Sequence, residues 1–128
     1  MKLLVTGPLG LSTQQIAIAI VESKFVPKIL VVTEEFAKAP LLLPIFEGGS
    51  WERIISIPLS ERDFGPCARE VRLFEMVNQS EAVLILAPRV KMPPDGVPYS
   101  GEPGIKLNAL LNLAKKSQLE IKIIEIDL

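Results

Sequence analysis

Short apolar runs alternate along this chain with longer segments whose apolar residues recur every three or four positions. Residues 2–6 (KLLVT) form an apolar run rich in strand formers, stopped by Gly7, Pro8 and Gly10, and so predict a buried first strand. Ser12 stands three residues before Gln15 in a capping-box pattern, with Ile16, Ala19, Ile20 and Phe25 following at helical spacing. A helix is predicted over 13–24. KILVV (28–32) reads as a second strand and IISI (54–57), ending at Pro58, as a third. Between them the 40–44 segment, with Gly48 and Gly49 after it, reads as irregular or briefly helical.

From 66 to 79, Ala68, Val71, Phe74 and Val77 fall three apart, and Leu73 and Met76 widen the stripe into a second helix. AVLILA (82–87) is apolar without alternation, the mark of a strand covered on both faces. Residues 88–104 carry five of the eleven prolines and three glycines, a length and punctuation typical of binding loops and lids. A third helix is predicted over 105–116. LEIKIIEIDL closes the chain as an edge strand with Lys122 and Glu125 turned outward.

Strands separated by helices imply right-handed crossovers, so the expected fold is α/β: a three-layer Rossmann-like domain on a five-stranded, mainly parallel sheet in the order 3-2-1-4-5. Such sheets take ligands beyond the carboxyl ends of their strands, where the strand order reverses. One crevice would then be ringed by TGPLG after the first strand, TEEF after the second, the 58–65 loop after the third and the 88–104 loop after the fourth.

Composition narrows the chemistry. The 128 residues suit a single domain, 1–128, and 48% apolar content is enough for one core. A formal net charge of -1 lacks the basic footprint of a phosphate-neutralising protein, so nucleic acid is not expected as a main partner. Histidine is absent, which removes the commonest general base and metal ligand; serine-histidine and cysteine-histidine hydrolase chemistries are excluded. Cys67 is the only cysteine, so no internal disulfide and no cysteine-based metal site are expected, and a reducing, cytoplasmic setting fits. No apolar run approaches the length of a membrane span. No cofactor, no metal and no membrane partner are expected.

The stretch PLSERDFGPCAREVRLFEM (58–76) resembles, in unbroken register, a segment of the YspA-like proteins that reads p-A-D-W-x-x-Y-G-x-x-A-G-P-x-R-N-x-x-M. Those proteins belong to the SLOG superfamily of Rossmann-like nucleotide-binding domains, relatives of DprA and of the LOG cytokinin-activating enzymes. The matching residues are Pro58, Phe64, Gly65, Ala68, Arg72 and Met76, and Glu81 stands where the family has an Asp before its fourth strand. KLLVTG looks like the family's first strand and turn, and AKKSQLEI (114–121) is similar to its A-x-k-x-G-i-p-V entry into the last strand. The resemblance implies a nucleotide or nucleotide-derived ligand.

Departures from the family pattern bear on the same site. The family's glycine-rich G-x-x-x-G-x-D phosphate loop after the second strand is replaced here by TEEFAKA, and Glu34 and Glu35 would repel a phosphate. Its Gly-Pro before the arginine is Arg69 and Glu70, and the Asn after it is Leu73. LOG enzymes carry P-G-G-x-G-T-x-x-E after the fourth strand; here the loop is expanded, without the double glycine, and SGEPG resembles a remnant.

The ligand-binding candidates are Thr6 and Gly7 as amide donors to an anion, Gly65, Arg72 as a bidentate anion clamp, Tyr99 as a stacking ring, and Gly101 with Glu102 in the fourth-strand loop. Each has a plainer reading. Thr6 and Gly7 could simply make a turn, Arg72 could be a solvated or helix-face ion-pair residue, and Tyr99 and Glu102 could be ordinary loop residues. Cys67 reads as a small buried residue, and Trp51 as a core or interface anchor. The leading reading is a SLOG-like binding module for a nucleotide or similar small molecule, without efficient turnover. A second is an enzyme acting on the N-glycosidic bond of a nucleoside or nucleotide, with Glu102 or Asp95 at the oxocarbenium-like centre. A third is an interaction subunit whose pocket has decayed. Apolar content, an edge strand and a proline-rich loop predict a homodimer or larger oligomer.

Overall fold

The computed structural model describes residues 1–9, 11, 13–37, 53–88 and 105–126. Five strands form one sheet: β1 (Lys2–Thr6), β2 (Ile29–Thr33), β3 (Arg53–Ile57), β4 (Ala82–Pro88) and β5 (Glu120–Ile126). Their order is β3-β2-β1-β4-β5 and all four pairings are parallel. This is the expected Rossmann-like α/β arrangement, with the reversal of strand order between β1 and β4. The helices among the described residues are α1 (Thr13–Ser23), α2 (Glu34–Ala37), α3 (Glu61–Phe64), α4 (Ala68–Gln79) and α5 (Leu107–Lys116), with a 3-10 turn over Gly65–Cys67 before α4.

Strand alternation divides the apolar side chains between two cores. Leu3, Val5, Leu30, Val32, Leu84 and Leu86 pack beneath Ile16, Ala19 and Ile20 of α1. Leu4, Val31, Val83 and Ile85 face the opposite way, beneath Leu73, Met76 and Val77 of α4 and Leu110 and Ala114 of α5. The central strands read as unbroken apolar runs because helices cover both of their faces. Each fully buried Leu or Ile contributes about 1.5–3 kcal/mol by leaving water.

Two helix ends explain local sequence choices. At the end of α5 the N–H of Gln118 donates to Lys115 and that of Leu119 to Ala114, the paired bonds of a Schellman motif, with Gln118 at φ 59°. The family pattern quoted above has its glycine at this position, where the chain requires a left-handed residue. At the end of α1, Lys24 is the left-handed residue (φ 65°), and the longer bond is relayed through a side chain. The Ser23 hydroxyl donates to the carbonyl of Ile20 at 2.5 Å and accepts from the N–H of Phe25 at 3.2 Å.

Three expectations are corrected. The helix predicted from 66 is α-helical only from Ala68, because Gly65–Cys67 form a 3-10 turn in which the Ala68 N–H donates to the Gly65 carbonyl. The buried face of α4 runs through Ala68, Arg72, Leu73, Met76 and Val77, so Phe74 is exposed and an arginine occupies a core-facing position. Lys122 is not outward: it lies on the α1 side of β5, where its Nζ donates to the carbonyl of Ser23 at 2.6 Å and sits 5.2 Å from the Phe25 ring centre. Since α1 has no basic residue in its last turn, a cation from the edge strand serves its carboxyl end.

Candidate functional site

The site is built where α4 begins its return across the sheet. Strand β1 ends in Thr6 and β2 in Thr33, and both threonines are fully buried. Alternation puts Thr6 on the same face as Leu4 and Thr33 on the same face as Val31, the face covered by α4. Because β1 and β2 pair with Lys2 opposite Ile29 and Leu4 opposite Val31, the same offset carried to the strand ends sets Thr6 level with Thr33.

Arg72, one turn into α4 and buried, reaches the junction that follows β2. Its Nη1 donates to Oε2 of Glu35 at 2.7 Å, in an ion pair whose side chains are 3% and 45% exposed respectively. Glu35 follows β2 directly, in the one-turn helix α2. Thr33 holds that turn in place, its hydroxyl oxygen accepting the N–H of Phe36 at 3.1 Å. Burial alone would raise the Glu35 carboxyl pKa, but the net direction is down from the ordinary 4.5. Its own backbone N–H, the charge and hydrogen bond of Arg72 and the Thr33 hydroxyl together outweigh desolvation. The arrangement therefore holds an ionised carboxylate against a buried guanidinium.

Arg72 is thus neither a solvated residue nor a partner for its own helix face: it joins α4 to the β2–α2 junction. The two glutamates expected to repel a phosphate after β2 include the residue that satisfies the arginine. Reading along the chain gave no sign of the pair, since the residues lie 37 positions apart; an arginine among the buried positions of α4 was the available signal.

The remaining sequence candidates divide sharply. Gly7 closes β1 beside β4, where an added Cβ would stand 2.9 Å from Leu86 Cβ and 3.0 Å from the Leu86 carbonyl oxygen, so close packing requires glycine there. Gly65 has open space around its Cα but a left-handed backbone, and conformation selects it. With Phe64 it forms an exposed turn beyond β3, after the Ser60 hydroxyl has bonded Asp63 Oδ2 at 2.7 Å. Cys67 is exposed, contrary to expectation, because the 3-10 turn keeps it off the sheet and the buried face of α4 starts at Ala68. Ala68 and Met76 of the family register are core residues of α4. Glu81 lies at the opposite end of the sheet: its Oε1 accepts the Lys2 N–H at 3.3 Å, and its own N–H donates to Lys2 O at 2.9 Å. Tyr99, Gly101, Glu102, Asp95, Trp51 and Ser12 lie outside the described residues.

Among the described residues no group of three or more His, Cys, Asp or Glu is placed to hold a metal ion. None of their helices is long and apolar enough to cross a membrane. Comparison with protein-family models, with curated proteins and with solved structures finds no match for the chain.

Proposed function

We propose that the carboxyl edge of the sheet binds a nucleotide or nucleotide-derived small molecule, with Arg72 receiving its anionic group, and that the domain acts as a binding module without efficient turnover. The observation that carries this reading is the burial of Arg72 against the β2–α2 junction. A guanidinium is costly to take out of water. Here it sits beside the edge at which doubly wound sheets take their ligands. Glu35 itself is suited to binding rather than to proton transfer: it is ionised and hydrogen-bonded, which makes it a poor proton donor and a weakened base.

The test is calorimetric titration of nucleoside mono- and diphosphates against wild type and Arg72→Met, with melting curves run in parallel. Loss of one charge-assisted contact is expected to weaken binding by about 1.5–3 kcal/mol, roughly 10- to 150-fold. Absence of binding to the wild type at millimolar ligand overturns the reading.

A second reading, an interaction subunit, is favoured by the apolar residues on and beside the outer face of α1. Val21 is 75% and Val26 80% exposed, with Ile18 one turn before Val21. In that reading the Arg72–Glu35 pair is only a tie between elements, and the protein forms a homo-oligomer. Light scattering across the micromolar range tests it; a monomer throughout removes the homo-oligomer.

A further inference from the structure

We propose that Glu35 is an internal competitor for the ligand's anionic group, so that the anion clamp of this domain is occupied by its own carboxylate until a ligand displaces it. The inference rests on the reading of Arg72 as the ligand's anchor and adds a residue that sets the affinity of that anchor.

The two members of the pair are unequally free to move. Arg72 is fixed by burial, its side chain 3% exposed on a twelve-residue helix whose neighbouring positions Leu73 and Met76 lie in the core. Glu35 is 45% exposed and belongs to a single four-residue turn. Displacing the carboxylate therefore moves a side chain into water that it already meets, whereas displacing the guanidinium would pull it out of the core. Exchange at this site proceeds by the departure of Glu35. The carboxylate engages the guanidinium through one bond, Nη1 to Oε2, so an incoming anion must replace that bond and gains where it adds a second oxygen to the guanidinium fork or carries higher charge.

A tethered carboxylate also has an advantage that no free anion shares: it is present at an effective concentration in the millimolar range. A monoanion of similar affinity displaces it only at concentrations above that range. A dianionic terminal phosphate, doubly charged and attached to a larger body that makes contacts of its own, displaces it at lower concentration. At equal concentration the arrangement favours a phosphorylated molecule over chloride, carboxylates and bicarbonate. It also accounts for a buried arginine surviving where the family's glycine-rich phosphate loop is replaced by TEEFAKA: the replacement supplies the arginine's resting counter-ion.

The experiment is titration calorimetry of inorganic phosphate and of adenosine diphosphate against wild type, Glu35→Gln, Arg72→Met and the double variant Glu35→Gln/Arg72→Met. Glu35→Gln keeps the shape of the side chain and removes its charge. It is expected to bind both probes about tenfold more tightly than wild type, the scale of one half-exposed charged contact. That gain is expected to vanish in the double variant. Equal or weaker binding by Glu35→Gln, alongside wild-type binding that depends on Arg72, overturns the competitor role and leaves the ligand reading standing. A gain that persists without Arg72 also overturns it, since it reports only the loss of a negative charge near the site. Failure of both wild type and Glu35→Gln to bind either probe at millimolar concentration removes the ligand reading and the competitor with it. The wild type supplies a measurement that needs no variant: the carboxyl carbon resonance of Glu35 is expected to shift to that of a free, solvated glutamate as diphosphate saturates the protein, and an unmoved resonance at saturation overturns the inference.

Discussion

Gly7 and Leu86 approach so closely across the β1–β4 junction that a Cβ on Gly7 would lie 2.9 Å from the Cβ of Leu86. The contact sits at the reversal of strand order, so the same glycine that a ligand-binding reading claims for its amide is already required by packing. Gly7→Ala is expected to destabilise the fold by about 1–3 kcal/mol with no ligand present, the usual cost of overpacking a tight contact. Chemical denaturation of the two proteins measures it; unchanged stability would return Gly7 to a purely ligand-directed role.

Gln118 offers the opposite experiment. It closes the Schellman motif of α5 at φ 59°, a backbone that L side chains adopt reluctantly. Gln118→Gly is expected to stabilise the protein by about 0.5–1 kcal/mol, and Gln118→Val, β-branched, to destabilise it. The pair of melting curves checks both signs at once.

Lys122 ties the edge strand β5 to α1 through the Ser23 carbonyl, with the Phe25 ring beneath its ammonium group. Replacing it with Met keeps most of the packed stem and removes the charge, which is expected to cost about 1 kcal/mol. Amide hydrogen exchange locates the loss: faster exchange is expected in the last turn of α1, and an effect confined to β5 would show that the tie does not hold the helix.

The sheet was legible because each strand is an apolar run bounded by turn residues, and a parallel order follows from the helices between them. What periodicity could not reach were the elements of a single turn, α2 and α3, which are too short to show a repeat. On α4 the apolar spacing finds Ala68, Leu73, Met76 and Val77, which are buried, and fails at two positions. Phe74 satisfies a three-residue spacing but faces out, while Arg72 occupies a position that hydropathy assigns to the surface. The candidate site was half legible for the same cause: sequence order exposes Arg72 as a guanidinium on a helix, but its partner arrives from another element, and the distance between them exists only after folding.

The Arg72–Glu35 pair makes stability depend on pH in a defined direction. Glu35 has its pKa lowered in the folded state from the ordinary 4.5, so the folded protein holds the Glu35 proton less tightly than the unfolded chain does. The unfolded chain then takes up the proton first as pH falls, and protonation favours unfolding. The stabilisation is accordingly complete above about pH 4.5 and is lost as pH falls through the lower folded value. Because the carboxylate is half exposed, water and salt screen the pair, and the effect is a modest one that shrinks at high ionic strength. Other carboxylates titrate in the same range, so the measurement is a difference: stability of wild type minus that of Glu35→Gln, followed by urea denaturation from pH 7 to pH 3. The difference is expected to be constant from neutral pH down to about 5 and to decline below 4.5. A difference that stays flat to pH 3 would mean that Glu35 has the same proton affinity folded and unfolded. Desolvation would then cancel what Arg72, the backbone N–H and Thr33 supply to the carboxylate, and the pair would add no net stability through Glu35 ionisation.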